Sequence, residues 1–170
     1  MKLPDSKALD RYSNLAVIIV AFVFIAWFVE SHFIARRVIT PNTSPVGKRI
    51  NLSSVSQPPA LENVVLGLST VCHFCQMNTD LYKHLAGMEA PGRISVVAVI
   101  PQSESEAKQY LAKDGLQASF LAGKPLSTYD ITGTPTILLL DSKGIIRKAW
   151  IGALTPTQQN DVISTVQHGF

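Results

Sequence analysis

The chain has two cysteines, Cys72 and Cys75, with His73 and Phe74 between them. A bridge across so small a loop removes little entropy from the unfolded chain, so a purely structural disulfide explains the pair poorly. The spacing suits a reactive pair instead. One thiolate attacks a partner's disulfide, and a second thiol one helical turn along resolves the mixed disulfide. That chemistry needs a thiolate at neutral pH. A cysteine standing where a strand ends and a helix begins meets free N–H groups and the positive end of the helix dipole, and both favour the charged form. Cys72 is therefore the expected nucleophile and Cys75 the resolving thiol. His73, if cationic, favours the thiolate further and makes the disulfide more oxidising. Phe74 offers an apolar contact for a partner, or packing. Zinc would need further ligands. No other cysteine exists, and His84, nine residues past Cys75, matches no common finger spacing, while His32 and His168 lie in other parts of the chain. No metal site and no cofactor are expected.

Such a pair works only if the surrounding elements hold it. Residues 63–68 form a short apolar run that reads as a central strand ending just before the cysteines. Phe74, Met77, Leu81, Leu85 and Met88 recur at spacings of three and four, which predicts one helix starting at the first cysteine and broken by Pro91-Gly92. Residues 94–100 read as a second buried strand. Ser103 and Glu106 make a capping box for a helix ending before Gly115, and residues 119–122 read as a short strand. Residues 136–140 and 145–151 flank the turn Asp141-Ser142-Lys143-Gly144 as a hairpin. Thr155, Pro156 and Gln158 open a last helix with Val162, Ile163 and Val166 on its buried face. The order β-α-β-α-β-β-α predicts an α/β domain, a central mixed β-sheet with helices on both faces.

A second motif bears on the cysteines. Thr132-Gly133-Thr134-Pro135-Thr136 leads into the strong strand, and proline is tolerated only at a strand's first residue or edge. The pair Cys72-His73-Phe74-Cys75 after an apolar strand, followed by Gly133-Thr134-Pro135-Thr136, resembles the thioredoxin superfamily. Leu139-Leu140-Asp141-Ser142-Lys143-Gly144 and Gly152 look like its membrane-anchored TlpA/ResA branch, and the resemblance runs from about Gly47 to the C-terminus. It implies a thioredoxin-like fold in which Pro135 is cis and faces the disulfide, and in which the backbone of Thr134 pairs with an extended partner segment. Three positions depart from the family pattern. Leu66 stands six residues before the first cysteine, where thioredoxins often carry Asp; Asn78 stands six after it, where the ResA-like branch often carries Glu; and Val71 replaces the usual aromatic. Glu62 and Asp80 are the nearest carboxylates in sequence, and both are expected to be solvated.

Hydrophobic residues make up 46% of the 170 and charged ones only 16%, which directs attention to a membrane segment. Residues 15–29 carry no polar side chain. As a helix they would span roughly 22 Å, short of a ~30 Å bilayer core, but the flanks extend the span to residues 15–35, with Tyr12 and Trp27 suited to the interfaces. No small-x-small cleavage site follows Val29, so an uncleaved anchor is expected rather than a signal peptide. Lysines and arginines lie on both sides of it. A short tail before a long C-terminal domain reads as a signal anchor, which puts that domain in the periplasm or another extracytoplasmic space. The expected organisation is a tail at 1–14, the transmembrane anchor at 15–35, a Pro- and Ser-rich linker at 36–59 with a possible strand at 47–52, and the thioredoxin-like domain at 60–170. A formal net charge of +3 without a basic run among aromatics gives no sign of nucleic-acid binding.

The sequence thus points to a thiol–disulfide oxidoreductase acting on extracytoplasmic protein thiols and disulfides and served by a redox partner protein. The alternative is a non-enzymatic module of the same fold that carries copper, since thiolates suit soft ions; copper-delivery members of the superfamily usually have a longer cysteine spacing and an added histidine. A peroxidase is disfavoured because the proline expected upstream of Ser69 and Thr70 is missing.

Overall fold

A computed structural model describes residues 18–25, 44–52 and 60–169. The chain divides into a unit of residues 1–43 and a compact unit, Ser44–Phe170. In the first, residues 18–25 form a helix with exposed side chains. The rest of the expected anchor at 15–35 lies outside the described residues, and among those described no helix is long and apolar enough to cross a membrane.

The second unit runs β1 (Glu62–Gly67), α1 (His73–Gln76), α2 (Thr79–Gly87), β2 (Ile94–Ile100), α3 (Glu104–Asp114), β3 (Ser119–Ala122), a 3-10 helix (Leu126–Tyr129), β4 (Thr136–Asp141), β5 (Ile146–Ile151) and α4 (Pro156–His168). The five strands form one sheet in the order β3-β2-β1-β4-β5. β1, β2 and β3 are parallel; β4 and β5 are antiparallel to their neighbours. Every residue of β2 is buried, as expected of a parallel strand covered on both faces. The capping boxes expected at Ser103/Glu106 and Thr155/Gln158 both form, each satisfying N–H groups that the helix leaves open.

The mixed sheet is as expected, but among the described residues the α-helices of this unit pack on one face and only a 3-10 helix on the other. Val64, Leu66, Val96, Ala98, Ile137 and Leu139 point to one side, and the buried residues of α2, α3 and α4 pack with them. The other side, with Val65, Val99, Leu138, Leu140 and Ile146, is covered by Ile50, Ile131 and Tyr129 of the 3-10 helix. Handedness is the cause. β1, β2 and β3 step across the sheet in one direction, and right-handed crossovers then put both connecting helices on the same side. Residues 47–50, within the stretch assigned to the linker, run along the start of β5: Gly47 N–H donates to the Ile146 carbonyl at 2.8 Å and Ile146 N–H to that of Lys48 at 2.9 Å.

The single helix expected from the first cysteine is two. It breaks at Met77 and Asn78, where Asn78 has φ −113° and ψ 16°. Of the apolar stripe read from the sequence, Leu81 and Leu85 are buried as expected, but Phe74 and Met77 are 56% and 63% exposed, and Cys75, Asn78 and Tyr82 turn inward instead. Both sets have spacings of three and four, so the period alone does not choose between them.

The close approach that carries the site into register is at Gly67. It pairs with Thr136 across the β1–β4 ladder. A Cβ there would stand 2.9 Å from Ile131 Cδ1 and 3.0 Å from its Cγ2. Gly67→Ala is therefore expected to destabilise the fold by about 1–3 kcal/mol through overpacking, measured by urea unfolding. Adding Ile131→Val, which removes the nearer atom, should recover part of the loss.

Candidate functional site

The cysteines lie beyond the C-terminal end of β1. Leu68 N–H donates to the Val99 carbonyl at 3.0 Å, and Cys72 N–H to that of Ser69 at 3.1 Å. Between them the chain is clamped from the end of β2. Gln102 Nε2 donates to Ser69 Oγ at 2.9 Å, and Gln102 Oε1 accepts from Thr70 N–H at 3.3 Å. The turn so held delivers Cys72 in extended conformation to the N-cap of α1, where its Sγ accepts the Cys75 N–H at 3.2 Å. A sulfur thus takes the place of the usual capping oxygen. Cys72 is part-buried and Cys75 fully buried, and both are free thiols.

β4 brings the second motif to the same place. The Thr134–Pro135 peptide is cis, as the family resemblance implies. Thr136 Oγ1 donates to the Gly133 carbonyl at 2.7 Å, and the Pro135 carbonyl accepts Gly152 N–H at 2.8 Å, so the turn is fastened to both strands of the hairpin. The Thr134 side chain lies close enough to both thiols to favour the charged form of each.

The two thiols are driven apart in acidity. At Cys72 partial burial opposes ionisation, but donors outweigh it: the Cys75 thiol, the Thr134 hydroxyl and the N–H groups of Cys75 and Phe74 hold this thiol below its ordinary range. At Cys75 burial dominates. The hydrogen bond it gives to Cys72 and that neighbour's negative charge add to it, the Ser69 N–H and Thr134 hydroxyl only partly oppose it, and the thiol is pushed up to about 12. Behind Cys75, burial likewise raises the Tyr82 and Tyr110 hydroxyls, with the charge on Cys75 adding to each.

Of the residues singled out in the sequence, Cys72 and Cys75 meet directly, Thr134 stands close enough to lower both thiols, and Pro135 is buried. Phe74 stands out into solvent beside the cysteines, with the His73 ring edge-on to it at 5.9 Å between centroids. Val71, which replaces an aromatic, is 85% exposed. The two nearest carboxylates in sequence do not serve the thiols. Glu62 begins β1, at the end of the strand away from Cys72, and contrary to expectation its carboxyl is partly buried and raised by that burial, against the pull of Arg93. Asp80 is exposed on the first turn of α2. Among the described residues no cluster of three or more His, Cys, Asp or Glu could hold a metal ion. Sequence reasoning missed the Gln102 clamp, which no motif announces. It also missed the hydroxyl role of Thr134, whose signal is the choice of threonine before the proline.

No known protein-family profile matches the sequence, and no curated protein matches it. Solved structures do match in shape. A thiol-disulfide isomerase from Corynebacterium glutamicum is 17% identical, with 74% of this chain and 94% of that one covered and a TM-score of 0.56. A thioredoxin-like superfamily protein is 14% identical over 74% and 97%, at 0.55. A secreted Mycobacterium tuberculosis disulfide oxidoreductase homologous to E. coli DsbE is 14% identical over 69% and 86%, at 0.54. The chain has a thioredoxin-like α/β fold.

In the reduced chain Cys72 is expected to react with iodoacetamide well before Cys75 at neutral pH, with a pH–rate inflection below the ~8.5 of a free thiol. Thr134→Val removes a donor from the thiolate and should move that inflection upward. Cys75 alkylating first would contradict this arrangement.

Proposed function

We propose that this protein is a thiol–disulfide oxidoreductase that exchanges disulfides with protein substrates outside the cytoplasm through Cys72 and Cys75. The observation that carries the reading is the inequality of the two thiols: one at a helix N-terminus, reachable and favoured as thiolate, the other buried one turn along and favoured as thiol. That is the division of labour exchange requires. The Cys72 thiolate attacks a partner's disulfide, forms a mixed disulfide and releases one partner thiolate. Cys75, losing its proton, then attacks Cys72 Sγ, releases the second partner thiolate and closes the Cys72–Cys75 disulfide.

In this scheme the Thr134 hydroxyl steadies the Cys72 thiolate, while the Thr134 backbone and Pro135 receive an extended segment of the partner. Exposed Phe74 supplies an apolar contact, and His73 tunes the thiol. The chemistry needs no cofactor, only a redox partner protein that resets the pair. Residues 15–35 anchor the chain in the membrane as in the TlpA/ResA branch, with the domain on the extracytoplasmic side; the apolar run at 15–29 and the absence of a cleavage site after it support this. Two of the similar structures, described as a thiol-disulfide isomerase and a secreted disulfide oxidoreductase, agree with the redox reading.

Cys72→Ser is expected to abolish exchange, and Cys75→Ser to leave partners covalently held on Cys72, seen as adducts on non-reducing gels that disappear with dithiothreitol. A Cys72→Ser chain that still reduced a small disulfide would overturn these roles.

A further inference from the structure

The loop that delivers Cys72 has little of its own to hold it in place. Val71, the residue before the cysteine, is 85% exposed, so packing does not fix it. The bond from Cys72 N–H to the Ser69 carbonyl closes residues 69–72 into a turn, but it ties the turn only to itself. What bonds the turn to the sheet is one carboxamide. Gln102 Nε2 donates to Ser69 Oγ at 2.9 Å, and Gln102 Oε1 accepts Thr70 N–H at 3.3 Å. An amide side chain has a donor and an acceptor at fixed angles, so a single Gln grips two successive residues. Gln102 is itself well founded. It follows β2, every residue of which is buried. Its carbonyl accepts Gly123 N–H at 2.8 Å, just past β3, where Gly123 has the positive φ of 76° that suits glycine. The grip therefore comes from the rigid part of the fold, as precise placement of a reacting group requires.

We propose that Gln102 is a positioning residue for disulfide exchange: by holding Ser69 and Thr70 from the end of β2, it keeps Cys72 Sγ within reach of the Cys75 N–H, 3.2 Å away. This rests on the reading of Cys72 as the attacking thiol. Among the described residues no hydrogen bond joins Gln102 to either sulfur, so it acts through the turn. A hydrogen bond to an ionised sulfur is stronger than one to a neutral thiol, and it is lost as the sulfur moves out of line. With the turn free to swing, the Cys72 thiolate trades that N–H for water, ionises at higher pH and attacks more slowly. The groups facing Cys72 are the Cys75 thiol and N–H and the Phe74 N–H of α1, the Thr134 side chain before β4, and the phenols of Tyr82 in α2 and Tyr110 in α3. A neutral replacement of Gln102 changes the charge on none of them, so a shift in Cys72 reports its placement.

Gln102→Met keeps length and neutrality and removes both bonds. The test follows iodoacetamide alkylation of Cys72 in the reduced full chain across pH, read residue by residue by mass spectrometry, with folding checked by circular dichroism and urea unfolding. The inflection should rise by about 0.5–1 pH unit in Gln102→Met, and on the acid side of both inflections the rate should fall about three- to tenfold, as the thiolate fraction does. Ser69→Ala cuts one of the two bonds from the other side. It should give a smaller shift in the same direction, and added to Gln102→Met it should shift the inflection by less than its effect alone. A folded Gln102→Met chain that is less stable but titrates Cys72 at the native pH would overturn the inference, since the clamp would then serve stability only. Should Gln102→Met not fold, Ser69→Ala at the native inflection has the same force. If Cys75 alkylates first in the native chain, the exchange reading falls as well; native order with unshifted variants sinks this inference alone.

Discussion

The antiparallel pairing of β1 with β4 is the constraint on which the site depends. It sets Gly67 opposite Thr136, so that the chain leaving β1 and the chain entering β4 emerge side by side at one end of the sheet. One carries Cys72 and Cys75, the other Thr134 and the cis Pro135. A slip of one residue in that ladder would turn every side chain of β4 to the other face and carry the threonine away from the thiols. The slip is resisted by burial on both faces, since Val64, Val65, Leu66, Leu138 and Leu139 are all buried. Gly67 is part of the same arrangement: without a side chain it lets Ile131 pack against the strand end.

Given that convergence, the difference between the thiols follows from position. Cys72 ends a clamped turn and begins a helix, so N–H groups and a hydroxyl point at its sulfur. Cys75, on the inward side of the same turn, has lost its water and gained a negatively charged neighbour. The same burial that protects Cys75 leaves an amide and two phenols behind it. The two thiols of one short turn thus differ in acidity for reasons of position alone.

Much of this was legible in the sequence. Strands at 94–100 and 119–122 and both capping boxes could be read directly, because each is local; the meeting of the cysteine motif with the Thr-Pro turn was implied only by the family resemblance. Two things were not legible. The side of the sheet that each helix covers depends on the order of the strands, a long-range property that β-α-β alternation does not reveal; it became clear only when β3 proved to continue the β1–β2 progression. The start of the buried stripe after the cysteines was misread, though Leu81 and Leu85 further along it are buried as expected, because Phe74 and Met77 are apolar, whereas Cys75 and Asn78 are the residues turned inward once the helix breaks at Asn78. The exposure of Phe74, Met77 and Val71 around Cys72 departs from ordinary patterning.

The measurement that bears most directly on the account is an equilibrium redox titration of the full chain in glutathione and dithiothreitol buffers, with free thiols counted by alkylation. The account predicts one two-electron transition between the dithiol and a Cys72–Cys75 disulfide, lost in both single-cysteine variants. A pair that stays dithiol at every poise would contradict it.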